Sequence, residues 1–406
     1  MGIELFENKK SCCGCGACAN ICPKGAITMK PDKWGYSYPV VDLSRCASCG
    51  ACKKVCSYQN GISLHEPIRA YAAVNKTQNQ LEKSASGGVF SAVATYFLKN
   101  GGVVYGAALD FEGGHPIAHL VGIDDASQLW RLQGSKYVQS AVEQTYKQAK
   151  QNLDAGKKVL FSGTPCQIAG LYGYLKKEYA NLWTIDVICH GVPNLKFFDD
   201  YLSIEGKKRD GVPVGYSFRD KKRGWGMYNA RLDLRYLSGK EKSTYIPARL
   251  TSYNTLFLDG DICRENCYEC PYARKERVSD MTIGDFWGIE REHPELLKRS
   301  EFDEKKGISC ILVNTQKAAE LCEDLLDRMY LYESSFMKIA KKNGQLDHPL
   351  TESERRKTVM EIYEKSGYDG VEKWFRKKYK KQIIMHRVYN AIPRKLRVAL
   401  KNAIKK

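Results

Sequence analysis

At 406 residues the chain is too long for one ordinary domain, and its 43% hydrophobic content excludes a disordered class. It has sixteen cysteines, no run of about 18 apolar residues and no leader of the secreted type. The expectation is a cytoplasmic chain whose thiols bind metal or do redox work rather than form disulfides. The net charge of +18 is uneven: residues 371–406 hold 13 Lys or Arg against Glu372 alone, so the body needs no nucleic-acid partner.

Cys12, Cys15, Cys18 and Cys22 form a C-x2-C-x2-C-x3-C run closed by Pro23, and Cys46, Cys49, Cys52 and Cys56 repeat it 34 residues later. Gaps of two residues let one turn wrap three thiolates around an iron–sulfur cube, while the fourth cysteine lies past the turn and reaches the other cube. The expected sets are therefore Cys12, Cys15, Cys18 and Cys56, and Cys46, Cys49, Cys52 and Cys22. Gly14, Gly16, Ala17, Gly50 and Ala51 leave room for backbone N–H groups to approach the sulfurs. A pair of zinc sites is the competing reading, although zinc needs no crossed fourth ligand. Cys13 reads as a non-ligating neighbour. The segment, residues 1–62, resembles the bacterial two-[4Fe–4S] ferredoxins, with Ser57 in place of their second proline.

After a linker at residues 60–67, strand and helix patterns alternate. Strands are expected at 70–75, 101–109, 158–161 and 183–189, and helices at 89–98, 167–177 and 195–202. This order predicts an α/β (α+β) body with a partly parallel sheet. Three stretches look like ligand-binding turns. Ser84-Ala85-Ser86-Gly87-Gly88 would offer free N–H groups at a helix start, where a phosphate fits. Residues 134–140, with Gly134, Ser135, Lys136 and Tyr137, combine a cation, an aromatic face and hydroxyls, and Gly163-Thr164-Pro165-Cys166-Gln167 turns a strand end into a helix. A helix cap or tight turn is the plain alternative for each.

Cys166 and Cys189 each end a predicted buried strand, and in open α/β sheets such ends face one crevice. Cys267 and Cys270 would complete four thiolates around a third [4Fe–4S] cluster, with a zinc site or unrelated buried thiols as alternatives. Cys263 is the weakest ligand of this group, and Cys310 and Cys322 read as core residues.

Four stretches together resemble the F-420 hydrogenase/dehydrogenase beta-subunit family: Ser86-Gly87-Gly88-Val89-Phe90-Ser91, Gly163-Thr164-Pro165-Cys166-Gln167, Ile188-Cys189-His190-Gly191, and Cys267-x2-Cys270 leading into Asp280-Met281-Thr282-Ile283-Gly284-Asp285-Phe286-Trp287-Gly288. The resemblance covers roughly residues 68–340, divided into regions 68–150 and 151–340. It implies a flavin, typically FAD, beside a cluster held by Cys166, Cys189, Cys267 and Cys270. Flavin contacts would come from Ser86, Gly87, Gly88 and residues 134–140. It also implies electron exchange with a small molecule or the deazaflavin coenzyme F-420. A flavin belongs where one-electron and two-electron chemistry meet. Lys136, Tyr137 and His190 are candidate proton donors, though His190 beside Cys189 reads better as orienting a ligand. Asp285 would orient a loop or the flavin.

Residues 341–406 form a basic helical tail. Met385, Tyr389, Ile392, Leu396, Leu400 and Ala403 recur at helical spacing, and Pro393 suits a helix start. An anionic membrane surface, at the inner face, or an acidic partner is expected there, against the plainer reading of a solvated helix packed on its own domain. The function expected is an iron–sulfur flavoprotein oxidoreductase served by a soluble ferredoxin or another redox protein. The alternative is an electron-transfer subunit of a larger complex, and the substrate is not legible.

Overall fold

A computed structural model describes residues 4–392, apart from 223 and 228. The N-terminal module pairs two short helices, Ala17–Ile21 and Ala51–Lys54, with an antiparallel hairpin of β1 (Ile27–Pro31) and β2 (Ser37–Val41). Its internal duplication is visible in the backbone. Gly16 and Gly50, 34 residues apart, precede the two helices in the left-handed region, at φ 72° and 70°. Two residues earlier, Gly14 and Ser48 also match, at φ 69° and 50°. The loop shape that wraps three thiols demands these dihedrals, and only the serine adopts one against its side chain.

The body is an α/β fold around an eight-stranded sheet of order β13-β3-β12-β11-β7-β6-β4-β5. These strands are β3 (Arg69–Asn75), β4 (Val103–Glu112), β5 (His115–Ile123), β6 (Val159–Gly163), β7 (Leu182–Val187), β11 (Met281–Asp285), β12 (Ser309–Val313) and β13 (Met329–Ser334). Strands β11, β7, β6 and β4 pair in parallel, while β12, β13 and β5 run against their neighbours. Helices cover both faces, which is why strands such as β6 read as continuous apolar runs. Helices Val89–Lys99 and Gln316–Asp324 pack on one face through Val93, Phe97 and Ala319. Thr145–Asp154 and Pro165–Leu175 pack on the other through Tyr146, Ile168 and Leu171. Strands from both sides of residue 150 share this sheet, so regions 68–150 and 151–340 build one layered unit.

Between β7 and β11 the chain makes a long excursion. It comprises helix Leu195–Lys207, an antiparallel sheet of β8 (Val212–Asp220), β9 (Asn229–Arg235) and β10 (Glu241–Pro247), and helix Ser252–Leu258. In β9, Ala230, Leu232 and Leu234 point into a core while Arg231 and Asp233 point outward, the period of a strand with one buried face. Glu354–Lys378, helical on either side of a break at Gly367, closes that core with Val359, Tyr363, Tyr368 and Val371. The first part of the basic tail is thus packed on its own domain. Along Lys380–Ala391, Met385, Ile384 and Val388 stay exposed, and Pro393, Leu396, Leu400 and Ala403 lie outside the described residues. Among the described residues no helix is long and apolar enough to cross a membrane.

Candidate metal centres and the adjoining polar site

The N-terminal thiols gather in a crossed arrangement. Cys18 is raised by burial and then by the neighbouring thiols of Cys15, Cys12 and Cys56. Cys12 is likewise raised by burial, with Cys15 and Cys56 beside it. In the second loop, burial raises Cys52, and Cys49 and Cys22 are its thiol neighbours. The structure thus brings Cys56 of the second run to the first loop, and Cys22 of the first run to the second. Cys46 opens the second loop half-buried. The backbone N–H of Ala26 points at Cys22 Sγ at 3.3 Å, a donor of the kind that steadies thiolate charge.

The body thiols converge from three elements. Cys166 sits in the first turn of helix Pro165–Leu175, which Thr164 and Gln167 cap reciprocally. Cys189 follows the end of β7, and Cys267 and Cys270 come from the short turn at the end of the excursion. All four line one cavity. Cys166 is held below its ordinary pKa, chiefly by a hydrogen bond from Cys13 and further by Thr164 Oγ1 at 3.2 Å. The positive end of the helix favours the same thiolate. Burial pushes Cys189 well up, Cys267 to about 11 and Cys270 to about 12. Cys263 is buried beside Cys267 and Cys189 but does not line the cavity. Among the described residues no three His, Cys, Asp or Glu side chains are gathered to hold a single metal ion. The four body thiols instead surround a space between the three elements that carry them.

Cys13, read from sequence as a bystander, lines the same cavity and bonds both Cys15 and Cys166. The N-terminal module is therefore seated on the body cysteines. Helix Pro165–Leu175 permits the approach through two glycines. A Cβ on Gly170 would lie 2.9 Å from Cys15 Sγ, and one on Gly173 would lie 2.3 Å from the carbonyl oxygen of Val55. Arg264, fully buried, completes the junction. Its Nε donates to the Cys12 carbonyl at 3.0 Å, and its guanidinium lies 4.0 Å over the Tyr38 ring. Sequence reasoning passed over Arg264, although an arginine between Cys263 and Cys267 is a signal.

A second polar group occupies the same carboxyl edge, at the ends of β3 and β11. Asp285 accepts from Arg219 Nη1 and from Trp225 Nε1, each at 3.0 Å, and Trp225 stacks on Trp287 at 4.4 Å. Lys221 donates to the carbonyls of Leu81 and Ser86, and burial pulls its ammonium down to about 7. Ser86 donates to Ile308 O. The expectation of free N–H groups at this turn is corrected at Gly87: its N–H donates to Ser309 Oγ at 2.9 Å. Glycine is required there because a Cβ would sit 2.3 Å from the Ala73 carbonyl. Gly88 takes φ 81° and its carbonyl accepts from Asn75. Arg219, Lys221 and Trp225 lie in the excursion, where no motif had marked them.

In residues 134–140, Gly134 is exposed and Ser135 half-buried. Lys136 donates to the Arg131 and Gln133 carbonyls, and burial draws its pKa to about 7. The Tyr137 hydroxyl accepts from Arg219 at 3.1 Å, and its ring stacks on Phe257. His190 lines the cysteine cavity, lowered by burial, with Nε2 3.1 Å from the Phe257 carbonyl and Nδ1 facing Gln345. That pinning suits orientation better than proton transfer.

Loops of paired thiols, one module seated on another and a polar site beside them define an iron–sulfur redox protein. Residues 156–338 match the family described as the C terminus of the coenzyme F420 hydrogenase/dehydrogenase beta subunit, and residues 11–60 match the 4Fe-4S dicluster domain. Residues 156–338 thus match the C-terminal part of that beta-subunit family and sit behind an N-terminal dicluster domain, and together these matches mark an iron–sulfur electron-transfer protein of the oxidoreductase class. It is 38% identical over 42 residues to an uncharacterized ferredoxin of Methanocaldococcus jannaschii, a match spanning 10% of this chain and 54% of that ferredoxin. The chain thus spans about half the length of that curated relative. A chain from the F420-reducing [NiFe] hydrogenase complex of Methanosarcina barkeri superposes at a TM-score of 0.44. That alignment has 14% identity and covers 74% of this chain and 93% of that one.

Proposed function

We propose that the chain is a flavin- and iron–sulfur-dependent oxidoreductase, with Cys12, Cys15, Cys18 and Cys56 holding one [4Fe–4S] cluster and Cys46, Cys49, Cys52 and Cys22 a second. Cys166, Cys189, Cys267 and Cys270 are assigned to a third. The observation that carries this reading is the contact series Cys15, Cys13, Cys166, which sets the module's ligand loop directly against the body's thiol cavity. Such clusters, when bound, supply one-electron transfer, and a flavin would supply the change to two-electron chemistry.

The chain's own residues carry the rest. The Arg264 guanidinium favours the thiolate of Cys12, and His190 is fixed by the Phe257 carbonyl. The flavin is assigned to the carboxyl edge between Ser86, Gly87 and Gly88 on one side and Gly134, Ser135, Lys136 and Tyr137 on the other. Asp285, Arg219 and the Trp225–Trp287 pair lie between them. Lys136, with a pKa near 7, is the residue best placed among Lys136, Tyr137 and His190 to exchange a proton. Coenzyme F-420 or a small organic molecule is the substrate class.

The test is one anaerobic preparation with iron, sulfide, zinc and flavin quantified. About twelve iron atoms and one flavin per chain are expected; eight irons without flavin would leave only the N-terminal module. The second reading is an electron-transfer subunit whose substrate chemistry lies on another polypeptide, favoured by the beta-subunit match. A purified chain that reduces no small molecule but co-purifies with a dehydrogenase would support it.

A further inference from the structure

We propose that the face over Cys46, Cys49 and Cys52 docks an acidic one-electron carrier protein through Lys24, Arg45, Lys53 and Lys54. This deepens the redox reading above by placing its port and fixing the charge of its partner.

Exposure argues for the place. Among the described cysteines only Cys49 is exposed. The other N-terminal set is seated on helix Pro165–Leu175, and the body set lines a cavity beneath it. A carrier arriving from solvent therefore comes nearest the second loop. Charge argues for the partner. Lys24, Arg45, Lys53 and Lys54 are all exposed, and they flank the ligands in sequence: Lys24 follows Cys22, Arg45 precedes Cys46, and the two lysines follow Cys52. Arg45 Nη2 donates to the Lys24 carbonyl at 2.9 Å, which draws the two strands of the patch together. Asp42 is the only acid between residues 33 and 65, and it is engaged by the backbone and hydroxyl of Ser44. At the patch's edge Leu43 and Val40 are exposed, at 63% and 44%. Apolar contact ringed by uncompensated cations is the form of a small, fast-releasing docking face, on which opposite charge steers encounter.

The test uses the full-length chain purified anaerobically and a small acidic two-[4Fe–4S] ferredoxin in its oxidised form as probe. Carbodiimide cross-linking with peptide mapping should join ferredoxin carboxylates to Lys24, Lys53 and Lys54. Affinity should fall as salt rises, and Lys53→Glu with Lys54→Glu should weaken binding at least tenfold at low salt, the order expected for steering charges. Iron content should stay at the unsubstituted level in that variant, and reduction by a viologen cation should not fall, because the reversed charge attracts a cation. Cross-links confined to lysines beyond residue 371, or an affinity indifferent to the charge reversal, would overturn the proposal. A preparation with missing iron but intact cross-links would instead count against the cluster assignment and leave the docking face standing.

Discussion

Gly170 stands against Cys15: a Cβ on the glycine would lie 2.9 Å from the cysteine's Sγ and 2.8 Å from the Tyr146 hydroxyl. One helix thereby carries a body thiol, Cys166, in its first turn and seats the N-terminal module one turn later.

That packing ranks two substitutions. Gly170→Ala meets side-chain rather than backbone atoms, the Tyr146 hydroxyl at 2.8 Å and Cys15 Cβ and Sγ at 2.9 Å, so a cost of about 2 kcal/mol is expected. Gly173→Ala meets the backbone carbonyl of Val55 at 2.3 Å and should cost about 3 kcal/mol or expel the module from the helix. Urea unfolding of the two variants, with trypsin sensitivity of residues 1–62, reads the order.

Ser48 holds φ 50° where its counterpart Gly14 and both helix-capping positions are glycine. Ser48→Gly should stabilise the module by about 1 kcal/mol by removing left-handed strain. The reciprocal Gly14→Ala should destabilise it, because its Cβ would also press on the Arg264 guanidinium at 3.0 Å. Melting temperatures of the two variants should move in opposite directions.

The ligand assignment is separable by iron count. Cys166→Ser should remove about four irons, whereas Cys263→Ser and Cys13→Ser should remove none. Equal losses from Cys166→Ser and Cys263→Ser would reassign the body set.

Arg264→Met removes a buried cation that donates to the Cys12 carbonyl and faces Gln139. Leaving those acceptors buried should cost about 2 kcal/mol. The potential of the adjoining cluster should move negative, since its reduced form loses a neighbouring positive charge. An anaerobic titration followed by electron paramagnetic resonance measures that shift, which a merely structural role would leave in place.

Lys136 titrates near 7 in the fold because burial disfavours its charged form, against about 10.4 in the unfolded chain. Between those values the unfolded chain binds the extra proton, so this lysine's penalty is full below about pH 7 and is relieved as pH rises toward 10. Guanidinium unfolding at pH 7, 8 and 9 should show wild-type stability gaining relative to Lys136→Met across that range. The paired comparison matters because the buried thiols, raised in the fold, act in the opposite sense.

Much of this was legible in the chain. Cysteine spacing predicted the crossing of the N-terminal runs, and the structure brings Cys56 to the first loop and Cys22 to the second; the four body thiols were expected from strand ends and the family resemblance, and they do line one cavity. A continuous apolar run, Val159 to Phe161, marked β6, while β7 was found although Thr184 and Asp186 interrupt its apolar residues. The excursion's opening helix was expected, but its sheet was missed, although β9 alternates cleanly, because no motif drew attention to residues 208–250. With it went Arg219, Lys221 and Trp225, whose partners are as much as 140 residues away. Cys13 was undervalued for a related reason: its meaning lies in Cys166, which only tertiary packing brings near. The glycine turn at Ser86-Gly87-Gly88 was placed correctly at a helix start, but its N–H at Gly87 serves the sheet.

Cys189 and Cys267 stand at the departure and return of the excursion that carries β8, β9 and β10. Whatever joins those two thiols acts as a clasp on a whole lobe. The lobe is also bound to the sheet by its own core, where Phe197, Phe198 and Phe218 pack with Ala118 and Val138, so Arg219 and Lys221 are held beside Asp285 and Ser86 by packing as well as by whatever spans the two thiols.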